Sequence, residues 1–76
     1  MAQQMSREQR LALGIKSLFQ PRNAEIVSGE YAGQKGTLLC EGPSHLGVAV
    51  SVFNGNKFVR YAGLLVFARD AVRLEA

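Results

Sequence analysis

The chain has 76 residues and a mass of 8.3 kDa, which suffices for one small domain and excludes a multi-domain enzyme or a nucleotide-binding doubly wound sheet. Hydrophobic residues make up 47% of the chain and charged residues 20%, so it can build a core and is not disordered by composition. Nine Lys and Arg against six Asp and Glu give a net charge of +3, a mild excess that suits an anionic partner.

Cysteine usage and the N-terminal composition bear on location. Cys40 is the only cysteine, which excludes an internal disulfide and a CxxC site and favours a reducing compartment. The first ten residues are polar, without the apolar run of a signal peptide, and no stretch approaches the roughly 18 apolar residues of a membrane helix. We therefore expect a cytoplasmic protein with no membrane partner.

Residues 1–22 predict a polar tail followed by an amphipathic helix. Ser6 and Gln9 have the spacing of a capping box, and Pro21 favours a helix end at the residue before it. An apolar stripe at helical spacing is formed by Leu11, Ile15 and Leu18, and is widened by Leu13 and Phe19. One such helix cannot bury its own stripe, so we expect it to pack on the following residues or, in a homo-oligomer, on a second copy.

Residues 23–76 predict a β domain, because the hydrophobic period changes from helical to alternating. The predicted strands are 23–28, 37–41, 48–53, 58–61 with a continuation over 64–67, and 72–74. Asn54-Gly55 predicts a type I′ hairpin turn, Ala62-Gly63 a bulge or bend, and 68–71 a single helical turn. In a sheet of about five short strands, closure into a barrel is the best way to remove the unpaired edges. We therefore expect a mainly β fold, a small five-stranded SH3-like barrel with a short N-terminal α-helix.

The segment Ile26-Val27-Ser28-Gly29-Glu30-Tyr31-Ala32-Gly33-Gln34-Lys35-Gly36-Thr37-Leu38 lies between the first two predicted strands. It resembles the KOW motif, most closely in the C-terminal SH3-like barrel of NusG-type transcription elongation factors. Gly29 and Gly36 match the motif glycines, and Tyr31-Ala32-Gly33 matches its aromatic-Ala-Gly centre. The likeness extends to the strand that ends in Phe53-Asn54-Gly55, and the predicted structural loop residues are Gly29, Gly33, Gly36, Asn54 and Gly55. Residues 1–22 cannot supply the polymerase-binding domain of those factors, which leaves a stand-alone module.

The resemblance implies binding to RNA, or to ribosomal or transcription proteins. Basic side chains hold phosphates while exposed aromatic rings accept unstacked bases. The candidate contacts are Arg22, Tyr31, Lys35, Phe53, Lys57, Phe58, Arg60 and Tyr61. In the alternative interpretation, the cations of this set belong to an ordinary solvated surface and its aromatic rings lie in the core.

Catalysis has no support in the sequence. Carboxylates are scattered singly, and His45 has no second His or Cys at ligand spacing, so we predict no catalytic site, no metal and no cofactor. Plasmid type II dihydrofolate reductases share the expected barrel, but Phe58-Val59-Arg60-Tyr61 does not reproduce their active-site stretch.

A protein-interaction adaptor or accessory protein is the second functional hypothesis. Its basis is the helix stripe together with residues 64–67, where both faces of one strand are apolar. One face is expected to cover the core while the other receives the N-terminal helix.

Overall fold

The computed structural model describes residues 4–75, so the first three residues of the predicted tail and residue 76 lie outside the described range. The elements are α1 (Arg7–Ala12), β1 (Lys16–Ile26), β2 (Lys35–Glu41), β3 (His45–Asn54), β4 (Lys57–Ala68), a 3₁₀ turn (Arg69–Ala71) and β5 (Val72–Leu74). All strand pairs are antiparallel, in the order β4-β3-β2-β1-β5. The prediction of a mainly β fold with five strands and one short helix is confirmed. Over residues 4–75 no ladder joins β4 to β5, so the sheet is open.

Helix α1 is shorter than the sequence pattern predicted. The capping box of Ser6 and Gln9 is present and starts the helix. The helix ends one residue before Leu13 because Gly14 has a φ of +70°, with its N–H bonded to Leu11 O at 3.0 Å. The Ile15 N–H bonds to the oxygen of Arg10, also at 3.0 Å, which completes a Schellman motif. The expected continuation of the helix to Pro21 is therefore wrong, since this glycine is a helix terminator rather than an interior residue.

Strand β1 begins at Lys16 and runs through Pro21. Ser17 pairs with Cys40 and Arg22 pairs with Leu38, so four residues of β1 (18–21) lie opposite one residue of β2. We call this segment the β1 bulge. Proline has no N–H to donate to a ladder, and a bulge is one of the places where a strand tolerates it. The predicted start of the first strand at Asn23 thus corresponds only to its second half.

The main core lies on one face of the sheet, here called the inner face. Side chains of all four long strands meet there, and the large ones with the least exposure are Ile26, Leu38, Leu46, Val48, Val50 and Phe67. Complete burial of such a side chain stabilises the fold by about 1.5–3 kcal/mol. Leu18 packs against this core, so it does not belong to a helix stripe.

A second apolar cluster lies on the opposite, outer face. Ile15, Cys40 and Val66 are buried in it, with Met5, Leu13 and Leu64 packed against them. The alternation in β4 explains both clusters, because Leu65 and Phe67 face inward while Leu64 and Val66 face outward. The expectation that the N-terminal helix covers the second face of residues 64–67 is wrong for the helix itself, which has no buried residue, because Met5, Leu13 and Ile15 on either side of α1 make that contact.

Candidate nucleic-acid interface

The hairpin of β3 and β4 carries five of the eight predicted contact residues. Asn54 pairs with Lys57, so the two turn residues are Gly55 and Asn56. Gly55 has a φ of +64°, and no non-glycine residue among residues 4–75 has a positive φ. Glycine at the first of two central positions defines a type II′ turn. The predicted hairpin is confirmed, whereas the type I′ assignment is wrong because Asn54 remains in the strand.

Three exposed aromatic rings share the outer face of this hairpin. Phe53 is opposite Phe58, and Ser51, two residues earlier in β3, is opposite Tyr61. The exposed fractions are 44% for Phe53, 54% for Phe58 and 60% for Tyr61. The two phenyl rings are in edge-to-face contact, with centroids 5.7 Å apart. The two rings therefore pack on each other, and about half of each side chain is left open to solvent.

The hairpin cations alternate with the rings. Arg60 is opposite Val52 and Lys57 is opposite Asn54, and both partners flank Phe53 in β3. The register therefore assigns the two cations to the reverse side of the ribbon from the rings. Both are exposed, and over residues 4–75 neither forms an ion pair. Since β4 is an edge strand, these long side chains lie at the rim of the sheet.

Lys35 supplies positive charge on the same face as the rings. It precedes Gly36, which pairs with the inward-facing Val50, so Lys35 itself faces outward. Its ammonium group lies 3.5 Å from a carboxylate oxygen of Glu75, and both side chains are exposed enough for the pair to be weak. A shallow groove runs between this lysine and the tip of the hairpin, lined by residues 33–35, Phe53, Gly55 and Asn56.

Gln34 joins the loop of residues 29–36 to the hairpin, a contact that the sequence pattern did not predict. Its side-chain amide donates to the oxygen of Phe53 at 3.1 Å and accepts from the N–H of the same residue at 2.9 Å. The side-chain amide thus pairs with the Phe53 backbone as a neighbouring strand would, through one donated and one accepted hydrogen bond, and holds the loop against the hairpin. No local sequence pattern around Gln34 predicts this contact, because the contact depends on which strand lies opposite the loop.

Tyr31 and Arg22 lie apart from the hairpin group. The Tyr31 ring packs edge-to-face on Phe67, with centroids 6.5 Å apart, and is half-buried against the main core. Part of the ring is thus covered by the core, and its role as a stacking face stays a prediction. Arg22 is exposed on β1, separated from β4 by two strands.

The glycines of the KOW-like loop have two kinds of role. Gly29 and Gly33 have φ values of +86° and +90°, which supports the expectation that the loop needs glycine conformations. Glycine is needed at position 36 for a different reason, since a Cβ there would overlap the backbone oxygen of Ala49 in the neighbouring strand. The loop is closed by a bond from the Gly33 N–H to the oxygen of Ile26 at 2.8 Å.

The remaining reactive side chains lie outside this interface. Burial raises the pKa of the Cys40 thiol above its ordinary value of 9.0, a shift that the nearby Arg10 charge and a backbone bond at Gly47 partly oppose. His45 Nδ1 lies 2.7 Å from the hydroxyl oxygen of Ser44. Over residues 4–75 no three His, Cys, Asp or Glu side chains come together as metal ligands would.

Within the described range, none of the helical segments has the length and apolar character needed to cross a membrane. Comparison of the chain with protein-family models, with curated proteins and with solved structures finds no match.

Proposed function

We propose that this chain is a non-catalytic module that binds single-stranded RNA on the outer face of the β3–β4 hairpin. The observation that carries the proposal is the group of three half-exposed rings, Phe53, Phe58 and Tyr61, on one face beside Lys35. Bases stack on such rings at a gain of roughly 1–3 kcal/mol each, while nearby cations neutralise phosphates. Lys57 and Arg60 at the rim would hold the backbone where it passes round the edge of β4.

The proposal includes the SH3-like, KOW-type assignment and a role in cytoplasmic transcription or translation. The strand order β4-β3-β2-β1-β5 and the 3₁₀ turn before β5 support a barrel-like curl around the main core. The glycine conformations of the 29–36 loop support the motif. A buried, unpaired Cys40 supports a reducing compartment.

The test is a fluorescence anisotropy titration of labelled single-stranded RNA, duplex RNA and duplex DNA at two salt concentrations. We expect the single strand to bind best and to weaken as salt rises, because counterions are released on binding. Phe58→Ala should reduce affinity by about 1–3 kcal/mol through the loss of one stacking face. Replacement of Lys57 and Arg60 by Gln should weaken binding and flatten its salt dependence.

Two matched variants control for the loss of an exposed ring or an exposed cation away from the hairpin. Phe19→Ala removes an exposed phenyl ring on β1, and Arg22→Gln removes an exposed cation that two strands separate from β4. Both should bind RNA nearly as the parent chain does, and circular dichroism should show that each variant is folded. An equal loss in Phe19→Ala and Phe58→Ala would refute the hairpin as the binding site. No binding of any of the three nucleic acids at low salt would refute the proposed function.

A further inference from the structure

A single aromatic ring protrudes from the β1 bulge on the far side of β2 from the hairpin. Phe19 is 99% exposed, more than any other large apolar side chain among residues 4–75. Its neighbour Leu18 packs against the main core, so the alternation of β1 directs Phe19 away from that core. No residue of β2 pairs with the bulge backbone between Ser17 and Arg22. A fully exposed phenyl ring held on a defined strand is typical of an anchor residue in a protein interface.

A shallow groove lies between α1 and the start of β1, and its lining ends at Ser17, two residues before Phe19. Ile15 is buried at its base, and Leu11, which is 61% exposed, lines its side. The groove continues along Lys16 and Ser17 of β1. Its apolar part is therefore aliphatic, in contrast to the aromatic face of the hairpin.

The rim of the groove is positively charged. Arg7, Arg10 and Lys16 line it, and no acidic side chain does. Over residues 4–75 none of these cations takes part in an ion pair, and Arg10 donates instead to the backbone oxygen of Met5 at 2.8 Å. Glu41 is opposite Lys16 in the sheet register, but its carboxylate is paired with Arg69. The groove thus combines the exposed apolar side chain of Leu11 with three cations that form no ion pair over residues 4–75.

We infer that this groove and Phe19 together form a second binding site, for an acidic amphipathic segment of a partner protein. Apolar side chains of that segment would cover Leu11 and Phe19, and its carboxylates would face Arg7, Arg10 and Lys16. The concave shape favours a polypeptide over a lipid surface, against which a flat or convex apolar face would insert. Within the groove the apolar side chains are the aliphatic Leu11 and Ile15, which offer no ring face for stacking, and this favours a polypeptide over a nucleic acid. The site is independent of the hairpin, so one chain could hold RNA and a protein at once.

The probe for this site is a phage-displayed library of random peptides about 12 residues long, selected on the immobilised full chain. Enriched peptides are then synthesised with a fluorophore and titrated with the parent chain and four variants. Leu11→Ser, Phe19→Ser and Lys16→Gln alter the groove, while Phe58→Ser removes an exposed ring from the hairpin as the matched control. All four positions are exposed, and circular dichroism checks that the variants fold.

We expect the enriched peptides to combine Asp or Glu with apolar residues and to bind more weakly as salt rises. Phe19→Ser should lower their affinity about tenfold or more, with smaller losses in Leu11→Ser and Lys16→Gln and none in Phe58→Ser. Enrichment of peptides that are not acidic, or no enrichment that depends on Phe19, would overturn the inference. Phe19-dependent sedimentation with phosphatidylserine vesicles, in the absence of peptide binding, would assign the site to lipid instead. Loss of RNA binding in Phe19→Ser would assign it to the nucleic-acid interface.

Discussion

The contact between β2 and β3 on the outer face allows a strong test of the packing of the second apolar cluster. A Cβ added at Gly47 would overlap the sulfur of Cys40, which is buried beside it. The next nearest atoms are Leu64 Cδ1 at 3.6 Å and the backbone oxygen of Cys40 at 3.7 Å, both in ordinary contact. The clash therefore depends on one atom. Since overpacking of a filled core costs about 1–3 kcal/mol, we expect Gly47→Ala to destabilise the fold by that amount.

The same geometry predicts a rescue. Cys40→Ala removes the clashing sulfur and leaves a small cavity, so by itself it should cost about 1 kcal/mol. In the double variant the new methyl group at position 47 occupies the space that the sulfur left. The loss in the double variant should then be smaller than the sum of the single losses by at least about 1 kcal/mol.

The assay is urea unfolding of the parent chain, both single variants and the double variant, followed by far-UV circular dichroism. The coupling energy is obtained from the four free energies of unfolding. Strictly additive losses, or a stable Gly47→Ala chain, would refute the reasoning, because they would mean that the two side chains do not share one space.

Three further predictions concern the N-terminal segment, the hairpin turn and pH. Ile15→Ala should destabilise the chain by about 2 kcal/mol or more in urea unfolding, while Leu11→Ala, at an exposed position of the same segment, should change stability by less than about 0.5 kcal/mol. Gly55→Ala meets no atom within 4 Å but keeps a φ of +64°, so thermal unfolding should report a loss of about 1–2 kcal/mol that comes from backbone strain alone. Because burial raises the pKa of Cys40 above 9.0, its contribution to stability is complete below that pH and is lost as the pH rises through the raised value. Urea titrations above pH 9.0 should therefore show a fall in stability that Cys40→Ala reduces, and equal slopes for both chains would contradict the pKa shift.

Local signals in the sequence predicted much of the secondary structure. The Ser6–Gln9 capping box, the alternation of residues 48–53, the hairpin at Gly55 and the closing strand at residues 72–74 are all present. So is the bend at Ala62-Gly63, where Ala62 has no partner in β3. Each of these features depends on residues close together in the chain, so a sequence pattern is enough to reveal it.

The sequence was less informative where a local pattern had two interpretations. Gly14 fits both a weak point inside a long helix and the terminator of a short one, and the Schellman geometry selects the second. Tyr31 fits both a loop aromatic and a core aromatic, and the structure adds a contact with Phe67 from a distant strand that no local pattern indicates. In both cases the outcome depends on the burial of a side chain against another strand.

The candidate sites likewise contain features that depend on local sequence and features that depend on contacts between distant strands. The sequence by itself determined the two-faced apolar pattern of residues 64–67 and the residues of the aromatic hairpin, since alternation and turn chemistry are local properties. Only the tertiary structure decided that Gln34 fastens the loop to Phe53, that Lys35 shares a face with the rings, and that Phe19 is left in solvent. The pairing of distant strands governs the first two, because a shift by one residue reverses the face of every side chain, whereas Phe19 lies in the β1 bulge, which has no partner in β2.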